Sequence, residues 1–257
     1  MGNAIATPQS TIEALLRRSK RHDLPLRRTF VQRGTPRSPE PGPLAEFVRR
    51  HDDRGLELYL LFRAVASAAP WNVEESARVW ARSLDLGSDR SALSAISKIW
   101  KRLEDRRLIR RDRLARSVSI TALREDGSGE PYVHPRDQGH EELYFRLPFA
   151  YWMAEERWYR TLNLAETALL LIALSLADGF ILPYESARHW YGVSPDTAER
   201  GLRGLHRRGL LRMRRAIREA PLAPEGYVEE RHYTLQPPFG PRGRRSSSSQ
   251  TAIYLDL

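Results

Sequence analysis

A mainly α chain with small β-hairpins, an α+β architecture built twice over, is what these 257 residues predict. Three observations carry that reading. The pattern Glu-Ser-Ala-Arg-x-Trp occurs at residues 75–80 and again at 185–190. Each copy follows an apolar stretch at helical spacing and precedes a Gly-containing turn, a helix-capping serine and a basic helix ending in Leu-Ile or Leu-Leu. At 41% hydrophobic the chain has material for buried cores, and its length suits two compact domains plus tails.

In the first copy, residues 57–67 place Leu58, Leu60, Leu61, Phe62 and Val65 at helical spacing, and Pro70 stops that helix. A second helix over 73–82 leads into Leu84-Asp85-Leu86-Gly87. Gly87 permits a tight turn, and Ser88 or Asp89 caps a third helix by accepting orphan backbone N–H bonds. Leu93, Ile96, Trp100 and Leu103 then recur at i, i+3, i+7 and i+10 and face inward. Arg90, Ser91, Ser94, Ser97, Lys98 and Lys101 form the opposite, basic stripe. Residues 108–114 and 117–123 read as two strands around a basic turn, decorated by Arg110, Arg111, Arg113 and Arg116.

The second copy keeps the order. A helix over 164–177 meets a turn at Asp178-Gly179, and a helix over 183–191 ends at Gly192-Val193-Ser194-Pro195. Ser194 is placed as the cap and Pro195 at the first helical position, where its missing N–H costs nothing. In the next helix Ala198, Leu202 and Leu205 face inward, while Thr197, Arg200, Arg203 and Arg207 project outward. Residues 212–215, with Arg214 and Arg215, and 227–235 read as strands flanking a Pro-containing loop over 220–226. A helix, a helix-turn-helix and a two-stranded wing make a winged helix, so the expected fold is two tandem winged helix-turn-helix domains.

The run from Gly192-Val193-Ser194-Pro195-Asp196-Thr197-Ala198 through Leu202, Leu205 and Gly209-Leu210-Leu211 resembles the helix-turn-helix of bacterial winged-helix regulators. The tandem arrangement, with Tyr144-Phe145-Arg146-Leu147-Pro148 leading into the second copy, is similar to plasmid replication initiators and to DNA-binding proteins of actinobacterial mobile elements. The resemblance spans residues 55–235 and implies a fold more than a biological role.

Around the copies, Ser10-Thr11-Ile12-Glu13 reads as a capping box opening a short helix with Ile12, Leu15 and Leu16 on one face. It either docks on the first domain or lies along DNA. Residues 27–43, rich in Pro, Arg and Gly, read as a mobile linker. The expected organisation is a basic N-terminal helix and linker (1–50), a first domain (51–125), a linker whose aromatic stretch, Tyr144 to Tyr159, packs between the domains (126–160), a second domain (161–236) and a basic Ser-rich tail (237–257).

Lys+Arg 42 against Asp+Glu 32 gives 42 − 32 = +10, and Lys appears only at Lys20, Lys98 and Lys101. Guanidinium forks suit phosphates and guanine edges. With no cysteine, disulfides, thiolate nucleophiles and Cys-based metal sites are excluded. No nucleophile elbow, Walker lysine or Rossmann glycine set is present, and His134, Asp137, His140, Glu141 and Glu142 are read as a solvated connector. The chain is therefore expected to be no enzyme, to need no cofactor or metal, and to lack a leader or membrane span, acting in the cytoplasm on the nucleoid. The expected activity is sequence-preferring binding of double-stranded DNA, in transcriptional regulation or control of a mobile element. Two alternatives stand beside it: a replication initiator on iterated origin repeats, and a protein-interaction module. Asp196 and Glu199 repel phosphates near the second helix, which leaves open whether that domain reads DNA or forms a homodimer.

Overall fold

The computed structural model describes residues 6–87, 89–113, 118–137 and 143–240. The chain is mixed α+β with small antiparallel sheets. It opens with α1 (Pro8–Arg17), β1 (Asp23–Arg27) and a 3₁₀ turn at Arg28–Phe30, then β2 (Gln32–Thr35), β3 (Ser38–Pro41) and α2 (Leu44–Arg49). Next come α3 (Asp53–Val65), β4 (Asn72–Val73), α4 (Ala77–Ser83), α5 (Arg90–Asp105), β5 (Ile109–Arg113) and β6 (Val118–Ala122). After β7 (Tyr144–Pro148), α6 (Ala150–Met153) and α7 (Trp158–Thr161), the order resumes as α8 (Leu164–Ser175), β8 (Phe180–Ile181), α9 (Tyr184–Tyr191), α10 (Pro195–Arg207), β9 (Leu211–Glu219) and β10 (Tyr227–Leu235).

These elements form two compact units, and neither is one stretch of chain. The first comprises the residues up to Phe30 together with Arg50–Thr161; the second comprises Val31–Arg49 and the chain from Leu162 onward.

In the first unit α3 is buried nearly all round, and Asp52 caps it by accepting from the Gly55 N–H at 3.1 Å. Asp52 also receives Arg102 at 2.7 Å and Arg106 at 2.6 Å, which fasten the end of α5 to the start of α3. Although burial works against it, those two guanidinium groups hold the Asp52 carboxyl below its usual range. Ala92, Ile96, Ile99, Trp100 and Leu103 make the inner stripe of α5, and the Trp100 ring stands edge-on to Phe62 and Trp80 at 5.7 Å and 5.5 Å. Such edge-to-face pairs add about 0.5–1.5 kcal/mol beyond area burial. The sheet order is β4-β6-β5.

Around this core residues 6–30, 126–137 and 143–161 form a collar. β1 pairs antiparallel with β7, from Asp23 opposite Pro148 to Arg27 opposite Tyr144. Helix α1 docks through buried Ile12, Leu15 and Leu16, and Thr11 Oγ1 accepts from Arg82 Nε at 2.7 Å. Beneath the collar, Glu125 accepts from Arg27 at 2.7 Å and Arg63 at 3.1 Å, all three fully buried. Arg63 also lies over the Tyr132 ring at 3.8 Å.

In the second unit α8 is buried along its length and opens with a reciprocal cap between Asn163 and Glu166. α10 packs on it through Ala198, Gly201, Leu202, Gly204 and Leu205. The sheet order, β8-β10-β9, matches that of the first unit. The hairpin β2-β3 lies against α9, and α2 lies against α8 with Leu44, Phe47 and Val48 buried. Gly192 ends α9 at φ +65°, and a Cβ there would sit 2.6 Å from the Ala45 Cβ.

Several expectations are corrected. Residues 27–43 are no linker: Arg27 is buried in β1, Phe30 and Val31 enter cores, and the Pro-rich remainder pairs as β2-β3. Pro39 and Pro41 read as loop formers, yet a two-stranded hairpin with free outer edges tolerates them. The aromatic stretch at 144–159 packs inside the first unit, where Tyr151, Trp152, Trp158 and Tyr159 are buried and the Tyr159 hydroxyl donates to Gln9. The capping box lies three residues earlier than expected: Thr7 caps α1 from the Ser10 N–H, with Pro8 at the first position. β9 runs to Glu219, well past residue 215.

Candidate nucleic-acid interface

Asp89 opens α5 by accepting from the Ala92 N–H at 2.9 Å and from the Ser91 hydroxyl at 3.0 Å. Those bonds hold its carboxyl below the usual range and keep a negative charge at the helix N-terminus, where the helix dipole favours it. Ser88, the other expected cap, lies outside the described residues. Because α5 buries one stripe, Arg90, Ser91, Ser94, Ser97, Lys98 and Lys101 are left exposed on the other. Lys101 reaches Asp105 at 3.4 Å; Arg90 and Lys98 have no carboxylate partner among the described residues.

The hairpin after α5 divides its arginines by strand alternation. Arg111 faces α5, where its Nε donates to Glu104 at 2.8 Å and its backbone N–H to the same carboxylate at 3.2 Å. It braces the hairpin on the helix and is less exposed than its neighbours. Arg110 points outward beside Asp112 at 3.1 Å, and Arg113 is exposed with no carboxylate partner among the described residues. Arg116 lies outside the described residues.

The corresponding face of α10 is exposed but largely self-neutralised. Arg200 pairs with Asp196 at 3.1 Å, Arg203 with Glu199, and Thr197 is engaged by the Ser194 hydroxyl at 2.8 Å. Arg207 is exposed with no carboxylate partner among the described residues. Exposed i,i+4 pairs are worth only about 0.3–0.5 kcal/mol each, so they release their arginines to a stronger anion at little cost.

On the ribbon of β9 and β10, the adjacent residues Arg214 and Arg215 point to opposite faces. Arg215 continues the face of Leu211 and Met213 and meets Glu229 at 3.5 Å. Arg214 shares the other face with Arg212 and Arg218, neither of which the sequence reading singled out. The alternation Leu211, Met213 against Arg212, Arg214 is the signal the sequence carries, and the expected strand, ending at residue 215, does not reach Arg218.

His134 and Asp137 belong to the first unit, whereas His140, Glu141 and Glu142 lie outside the described residues, which contain no group of three or more candidate metal ligands. Also among the described residues, no helix is long and apolar enough to cross a membrane. No protein-family model matches the chain, and neither a curated protein nor a solved structure does.

Proposed function

We propose that the chain is a tandem winged-helix protein that binds double-stranded DNA with some sequence preference, acting as a transcriptional regulator or a mobile-element control factor. The observation that carries this reading is the repeated order helix, short strand, two helices and two strands in both units. In each the sheet order is first strand, third strand, second strand, and the third helix turns a polar, Arg-bearing face to solvent. Such a helix suits the major groove and the adjoining hairpin suits flanking phosphates.

The two units contribute unequally. α5 offers Arg90 and Lys98 without internal carboxylate partners, whereas the arginines of α10 must first leave Asp196 and Glu199. Base contact is therefore assigned mainly to α5, and phosphate contact to Arg110, Arg113, Arg207 and the Arg212–Arg214 face of the ribbon. Affinity would come chiefly from counterion release and fall steeply with salt.

The test is a titration of a random-sequence duplex by gel shift at several salt concentrations, with the wild type and an Arg90→Ala/Lys98→Ala double variant. The expected outcome is wild-type binding at low salt, with the double variant weakened at every salt concentration. Unchanged affinity in the variant would remove α5 from the interface, and no wild-type binding at low salt would overturn the reading.

A further inference from the structure

Among the described residues, the longest strand pairing belongs to the second unit. β9 and β10 pair over all nine residues, from Leu211 opposite Leu235 to Glu219 opposite Tyr227, a ribbon of roughly 30 Å. Only its base is held by the core, through Leu211, Tyr233 and Leu235. Past Arg214 and His232 most side chains on both strands are exposed.

The tip is a closed loop over residues 220–226. Ala220 N–H donates to the Gly226 carbonyl, Ala223 N–H to the Ala220 carbonyl and Gly226 N–H to the Ala223 carbonyl, each at 2.9 Å. Pro221 and Pro224 fix two more backbone angles. Between them Leu222 is fully exposed. A leucine so placed forgoes about 1.5–3 kcal/mol of burial and is carried on a preorganised loop.

What could cover it is narrowed by the ribbon itself. Ile217, Tyr227 and Val228 are also exposed, but the register puts Val228 on the face opposite Ile217 and Tyr227. Ile217 and Tyr227 are diagonal neighbours on one face and Val228 stands on the other, so neither face of the shaft carries more than two of these exposed apolar side chains. Along the shaft, Arg212, Arg214 and Arg218 share one face. Arg212 and Arg214 have no carboxylate partner among the described residues, and Arg218 is held by Glu230 on that face at 2.5 Å, an exposed pair it can exchange for a phosphate at little cost. Glu219 and Glu225 beside the tip repel phosphates, so the end itself gains nothing from the sugar–phosphate backbone. A basic shaft with an apolar, proline-flanked point fits a duplex entered from the minor groove, where a leucine can wedge between two base pairs and unstack them.

We infer that the β9–β10 ribbon is a DNA-bending arm: Arg212, Arg214 and Arg218 hold the phosphates and Leu222 inserts between base pairs. This rests on the DNA-binding reading above and adds a deformation of the duplex to it. The unstacking costs a few kcal/mol and is offset by the longer stretch of DNA that a bent duplex brings against the protein.

The experiment uses a duplex of about 30 base pairs carrying a donor and an acceptor dye at its ends. The full chain is added, as wild type, Leu222→Ala or Leu222→Ile. The wild type is expected to bind and raise energy transfer. Leu222→Ala should still bind at low salt through the arginines, yet leave the duplex straight. Leu222→Ile should restore the bend. Wild-type binding without any change in transfer, or an unaltered bend with Leu222→Ala, overturns the arm while leaving DNA binding intact. No wild-type binding at low salt overturns both. Sedimentation of the DNA-free proteins adds a separate arm: a dimer that Leu222→Ala converts to monomer would assign the tip to a second copy and overturn the wedge.

Discussion

Glu57 sits on α3 with only partial access to water, close enough to Arg160 and Arg54 to feel their charge and to Asp53 and Asp85 to feel theirs. Burial dominates and, despite the two arginines, pushes its carboxyl up to about 7. A carboxyl whose folded value is raised binds its proton more tightly folded than unfolded. Its favourable contribution is therefore complete below the unfolded value of about 4.3 and is lost as pH rises towards about 7. Glu57→Gln removes that loss. Denaturant midpoints are expected to coincide for variant and wild type near about pH 4 and to favour the variant near about pH 8. Equal midpoints at both would show that Glu57 ionises freely. The mechanism differs at Asp52, whose two arginines outweigh burial, so one short stretch holds carboxylates shifted in opposite directions.

At the scale of elements, α10 carries two glycines, Gly201 and Gly204, in its interior, where each costs about 1 kcal/mol of helix propensity relative to alanine. Their use is close approach. A Cβ on Gly201 would stand 2.7 Å from the Ala165 carbonyl oxygen and 2.9 Å from the Leu169 side chain. Gly201→Ala is therefore expected to destabilise the protein by about 1–3 kcal/mol although alanine is the better helix former, measured by chemical denaturation. A gain in stability would mean that α8 and α10 are loosely packed. The two third helices were legible in the sequence because caps, inward stripes and glycine stops agree there: Ser194 with Pro195, Ile96 with Leu103. β4 and β8 were not, since two residues carry no period. Hairpin β2-β3 was missed because Pro39, Pro41 and Gly34 signal a loop, and its place against α9 depends on contacts distant in sequence. The exposed basic face of α5 was readable. That Arg111 is taken up by Glu104, and that Arg214 and Arg215 part company, required the strand register.

At the scale of the whole molecule, the chain passes between units three times, at Phe30/Val31, Arg49/Arg50 and Thr161/Leu162. Residues 31–49 supply the second unit with Leu44, Phe47 and Val48, and the hairpin that lies against α9. A fragment spanning 162–240 would lack them and expose the surfaces of α8 and α9 that they cover. It is expected to unfold at lower denaturant than the second unit does in the intact chain, and a peptide of residues 31–49 added in trans should recover part of the difference. An isolated fragment as stable as the intact unit would show α2 and the hairpin to be dispensable.

The interleaving also sets rules for anyone wishing to recombine this protein. Exchanging one unit for a counterpart by a single splice near residue 161 would deliver a piece missing its own brace and leave the discarded unit's brace behind. A working hybrid would have to transplant residues 31–49 and the stretch beginning at residue 162 together, as two inserts that travel as one.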